Sequence, residues 1–112
     1  MKTKDTFFLY DLHVELIGSR DGKIITDGAK VWDYFEVRGE NIFLPPGQGF
    51  SFYNLAAIIP LLAAKQRHTD AYDWMTTDSD ISAVDIYCGA IFRISRIGLR
   101  AFKHSEVSGN RD

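Results

Sequence analysis

Tyr53, His68, Asp73 and Trp74 combine residue types that acid–base chemistry can use. A loop histidine with a carboxylate partner is the usual form of a general base, and a tryptophan can wall off a small pocket. In that arrangement His68 gives or takes the proton and Asp73 orients it, while Tyr53 hydrogen-bonds a polar substrate atom and Trp74 excludes water. Such a set needs no cofactor and suits a hydrolase, lyase or isomerase. It assembles only if the acidic segment 68–80 folds back over the helix before it. His68 directly follows Arg67 at a helix end, where a histidine commonly just caps carbonyls, and that structural role is preferred.

A second constellation is the turn Pro45-Pro46-Gly47-Gln48-Gly49 ahead of Ser51. Backbone N–H groups there, helped by the helix dipole, can hold a small anionic ligand, with Gly47, Gly49 and Ser51 nearest to it. The turn lacks the Lys-Ser/Thr ending of a phosphate loop and the third glycine of a dinucleotide site. A plain strand-to-helix connection is therefore preferred. Arg93, Arg96, Arg100, Lys103 and His104 make the last quarter locally basic, and Arg93 is the candidate to read a carboxylate. Edge-protecting surface charge explains the same letters. Asp11, His13 and Glu15 alternate on one strand face, but a solvated face accounts for them, so no metal site is expected. Cys88 has no histidine near it in sequence and is not expected to be a catalytic thiol.

The chain has 112 residues, enough for one domain with a core, and its 46% hydrophobic and 25% charged content is globular. A formal charge of −2 supplies no basic footprint, so nucleic acid is not an expected partner. One cysteine excludes an internal disulfide and fits a reducing compartment. The N-terminal stretch lacks the unbroken apolar core of a signal peptide, and Asn54 and Pro60 interrupt the best membrane candidate, so a cytoplasmic, membrane-free protein is expected.

The elements that must position these residues centre on 44–67, LPPGQGFSFYNLAAIIPLLAAKQR. Ser51 is the expected N-cap. Phe52, Leu55, Ile58, Ile59, Leu62 and Ala63 recur at helical spacing, and Ala56, Ala57 and Ala64 widen the stripe enough to imply burial on more than one side. Pro60 predicts a kink or two short helices within about 51–66. Residues 7–17 alternate as a half-buried strand; 23–26 can start a return strand; Val31, Phe35 and Val37 alternate with Trp32, Tyr34 and Glu36; 42–44 make a short strand. Residues 68–80 read as a long loop pinned to the core by Trp74. Runs 81–86 and 90–97 form a hairpin, 99–103 a last edge strand, and 105–112 a frayed tail. The expected fold is α+β: a curved antiparallel sheet or half-open barrel of about five to seven strands packed around one central, Pro-kinked helix.

Several of these features occur together: the run WDYFEV at 32–37 leading to a glycine turn, the proline-rich approach to an Ala/Leu-rich helix holding Pro60, the Asp73-Trp74 pair, and DIYCGAIFRI at 85–94. In this order of elements, over roughly residues 30 to 97, the chain resembles a family of small, largely uncharacterised bacterial proteins of about this length. Members often carry a Cys-Pro-Asp-Pro turn where this chain has Ala83-Val84-Asp85-Ile86, sharing only the aspartate. The resemblance implies a single bacterial domain and brings no activity with it.

No catalytic set is coherent, while 8 Phe, 5 Tyr and 2 Trp exceed what a chain of this size readily buries. The leading expectation is therefore a non-catalytic accessory or interaction subunit, forming a homo-oligomer or docked on a larger enzyme. The alternative is the cofactor-independent enzyme built on His68, Asp73 and Tyr53.

Overall fold

The structure is a computed structural model that describes residues 5–19, 30–82 and 89–103. Two long strands form its spine, β1 (Thr6–Ser19) and β5 (Ala90–Lys103), paired antiparallel along their whole length. Between them in sequence lie β2 (Tyr34–Arg38), β3 (Asn41–Phe43), helix α1 (Phe52–Gln66), the single turn α2 (Trp74–Thr77) and β4 (Asp80–Ser82). The sheet order is β3-β2-β1-β5-β4, antiparallel throughout and open rather than closed.

Period-two alternation builds the spine. Leu12, Val14 and Leu16 point to one face and are fully buried, as are their neighbours Phe35, Phe92 and Ile94 across the ladders. Asp11, His13 and Glu15 take the other face. Ile97 is an extra residue in β5, since Asp11 pairs with Gly98 and Leu12 with Arg96. This bulge puts Arg96 on the buried face and Arg100 on the outer one. Residues 90–97 and 99–103, expected as separate strands, are one strand through the bulge. The expected strand at 23–26, the hairpin turn with Cys88, and the tail 105–112 lie outside the described residues.

Helix α1 packs against the buried face of the open sheet, so the expected α+β arrangement of an antiparallel sheet with a helix on it holds in outline. Ile58 and Leu62 enter the core, and Phe50 meets Phe35 edge-on at 4.9 Å and Phe92 at 5.4 Å. One sheet layer plus one helix layer, each about 10 Å deep, accounts for the 20 Å thickness of a body 51 Å long. The helix runs unbroken through Pro60 instead of splitting in two. Pro60 and Ala56, whose carbonyl loses its partner, are both on the exposed side, where the carbonyl is open to solvent.

Candidate functional site

Tyr53 stands in the first turn of α1 and His68 two residues beyond its end, so the helix from Tyr53 to Gln66 alone sets about 20 Å between them by helical rise. Asp73 is occupied locally: it is the N-cap of α2, and its carboxylate accepts from the Met75 N–H at 2.8 Å. The structure thus leaves Tyr53 and His68 at opposite ends of one element. His68 is exposed.

Trp74 does not pin its segment. It is 75% exposed, and the turn it begins buries no residue. Polar tethers hold 68–80 instead. Lys65 Nζ donates to the Asp78 carbonyl, the Thr69 and Thr76 hydroxyls are bonded, and the Ile94 N–H donates to the Ser79 carbonyl at 2.8 Å. Arg96 completes the set, with Nε on the Lys65 carbonyl at 2.8 Å and Nη2 on the Arg67 carbonyl at 2.8 Å and Thr69 Oγ1 at 3.0 Å. These are the free carbonyls of the α1 C-terminus, where a cation also meets the negative helix pole. Its guanidinium lies 4.8 Å from the Tyr10 ring centroid as well. Burial, and then the positive charge of Arg96, push the Lys65 ammonium below its ordinary pKa, while Asp78 opposes that shift.

The glycine turn is structural. Gln48 N–H donates to the Pro45 carbonyl at 3.1 Å and Gly47 has φ +77°, the pattern of a type II turn with proline second and glycine third. Gly49 is exposed. The Ser51 hydroxyl accepts from the Asn54 N–H at 3.4 Å, as an N-cap should. Arg93 grips Asp80 with Nε and Nη2 at 2.8 and 3.2 Å, across the β5–β4 ladder. Asp11 likewise takes Arg100, while His13 stacks on Tyr34 at 4.8 Å with Nδ1 3.3 Å from Glu36 Oε2. Among the described residues no group of three or more such side chains could hold a metal ion.

What remains is the outward face of α1. Around the helix axis, Phe52, Tyr53, Ala56, Ile59, Pro60 and Ala63 occupy one arc of about 120° at 100° per residue, and all six are exposed. Phe52 and Tyr53 are 68% and 71% exposed with their rings 4.2 Å apart. The polar residues of the helix, Asn54, Lys65 and Gln66, are all buried. Gln66 bonds the Gly39 carbonyl at 2.8 Å and Lys65 the Asp78 carbonyl. An isolated surface helix has the opposite polarity, apolar inside and polar outside. The helical stripe expected to be buried, Phe52, Leu55, Ile58, Ile59, Leu62 and Ala63, divides instead: Ile58 and Leu62 are buried, while Phe52, Ile59 and Ala63 join the exposed arc. Sequence reading missed Arg96 as a helix clamp, although Phe92, Ile94 and Arg96 share one period-two phase that marks Arg96 as facing inward.

Among the described residues no helix is long and apolar enough to cross a membrane. Compared with protein-family models, curated proteins and solved structures, the chain matches none.

Proposed function

We propose that this chain is a non-catalytic interaction domain that pairs with a second copy of itself through the outward face of α1. The observation that carries the reading is the reversed polarity of that helix, polar residues inside and an unbroken apolar arc outside. Exposed aromatic and aliphatic area in one continuous arc is what an interface core needs.

A second copy fits because the arc is complementary to itself. Two α1 helices packed antiparallel about the Ile59–Pro60 midpoint place Ala56 opposite Ala63, which allows close approach, and Phe52 opposite Arg67. The Phe52 ring then meets an exposed guanidinium, a contact of about 0.5–1 kcal/mol at a surface, formed twice by symmetry. No charge of the arc faces a like charge in this register. A helix of 15 residues covers less than the roughly 800 Å² per partner of a standard interface, so the affinity is modest.

The register has a direct test. In a Cys88→Ser background, Ala56→Cys protein mixed with Ala63→Cys protein forms the mixed disulfide in preference to either like pair. Equal yields of all three disulfides, or none, overturn the antiparallel pairing.

A further inference from the structure

The face of the sheet opposite α1 carries a cavity of about 530 Å³ where the β1–β5 ribbon runs past the β2–β3 turn. Its walls are Phe7, Leu9, Phe43 and Phe102, and its rim carries Arg38 and Arg100. Phe7 and Phe102 stack at 5.6 Å, and the Arg38 guanidinium lies 4.6 Å from the Phe43 centroid. Gly39, at φ +61°, permits the close turn that forms one side: a Cβ there would come within 3.3 Å of the Phe102 ring. The volume is that of a small-molecule site, apolar over most of its wall with a few convergent polar groups.

We propose that this cavity binds a small amphipathic monocarboxylate, its alkyl or aromatic body on the phenylalanine walls and its carboxylate between Arg38 and Arg100. Each guanidinium is held from one side only. Arg38 donates Nε and Nη2 to Glu36 Oε1 at 3.3 and 3.0 Å, and Arg100 uses the same two nitrogens on Asp11. The Nη1 group of each has no partner among the described residues and remains a donor for an incoming oxyanion. Glu36 and Asp11 fix both forks without filling the cavity, so little side-chain entropy is lost when a ligand arrives. With Glu40 at the rim, these carboxylates outnumber the two guanidinium groups by one charge, which disfavours a dianion. Binding rests on hydrogen bonds and apolar contact rather than on a positive field. The site is on the face away from α1 and stands or falls apart from the pairing proposed there.

The test follows the backbone N–H of Gly39 and the Nε–H groups of Arg38 and Arg100 by ¹H–¹⁵N NMR while octanoate, octylammonium or octanedioate is added. The proposal expects saturable shifts at all three with octanoate, at a Kd of about 1 mM or below, and binding at least about tenfold weaker for the other two. Arg38→Gln and Phe43→Ala, both at exposed positions, each weaken octanoate about tenfold or more while the rest of the spectrum keeps its folded dispersion. Absence of saturable shifts with octanoate, equal binding of octylammonium, or unchanged binding by the folded variants overturns it.

Discussion

Arg96 Nε donates to the Lys65 carbonyl at 2.8 Å, so a strand arginine closes the helix that carries a buried lysine. The same guanidinium holds the Arg67 carbonyl and Thr69, and Lys65 reaches on to the Asp78 carbonyl. One cation on β5 and one on α1 therefore tie the acidic segment to the sheet without an apolar anchor. Arg96→Leu should keep the aliphatic volume but remove three bonds, leaving the Lys65 and Arg67 carbonyls without their side-chain donor. All three bonds come from one half-buried guanidinium and water can reach the freed carbonyls, so the expected cost in a urea melt is about that of a single charged-group hydrogen bond, about 1.5–3 kcal/mol. An unchanged midpoint would show that water replaces the clamp.

Trp74→Ala should shift that same melt by no more than about 0.5 kcal/mol, because the ring is 75% exposed. Phe35→Ala, which empties a fully buried site beside Phe50, should cost about 3–5 kcal/mol. A Trp74→Ala loss approaching that of Phe35→Ala would mean that the ring packs against the core in solution.

Acid should weaken the fold through two carboxylates. The Arg38 hydrogen bond, aided by His13, holds Glu36 below its ordinary 4.5, and the Arg93 hydrogen bond holds Asp80 below 3.8, with burial opposing both. Folded values below the unfolded ones mean that the unfolded chain binds more protons in that window. The stability they contribute is full above about pH 4.5 and drains as pH falls through the folded values. Thermal melts of a Glu36→Gln, Asp80→Asn variant should lie below wild type at about pH 7 and approach it as the pH falls through the folded values. A gap that persists at low pH would assign the difference to something other than these ion pairs.

Gln48 stands in for a strand. Its amide accepts from the Tyr34 N–H at 3.2 Å and donates to the Tyr34 carbonyl at 2.7 Å, as a backbone neighbour in a ladder would. Gln48→Ala should cost about 1–2 kcal/mol and speed hydrogen exchange at the Tyr34 amide. Unchanged exchange at Tyr34 would show that the bond adds no protection.

The strands were legible wherever one face is buried, because Leu12, Val14 and Leu16, or Phe35 and Val37, announce a period of two that only a half-buried ladder uses. The helix was legible as an element and its Ser51 cap as a residue. Its burial was not, since α1 is apolar nearly all round and periodicity cannot say which side meets the sheet. Lys65 and Gln66 read as a polar helix end, yet they turn inward because the Asp78 and Gly39 carbonyls wait there. The 68–80 segment misled for a related reason: a tryptophan flanked by aspartates suggests an apolar tether, whereas the tether is a chain of side-chain to carbonyl bonds with no sequence period. Asp73 likewise suggested a histidine partner, but a carboxylate two residues before a backbone N–H commonly caps a turn instead.

Pairing of two copies through the outward face of α1 is the proposal on which the exposed apolar arc bears most directly. The most direct measurement is the mass by light scattering from low micromolar protein to about 1 mM, for wild type and for Ile59→Asp, which changes the arc at a position already 46% exposed. Wild type should rise from the 12.7 kDa chain mass toward twice that value, while Ile59→Asp stays at the chain mass with an unchanged melt. A wild type that remains at the chain mass throughout, or an Ile59→Asp variant that associates as wild type does, would contradict it.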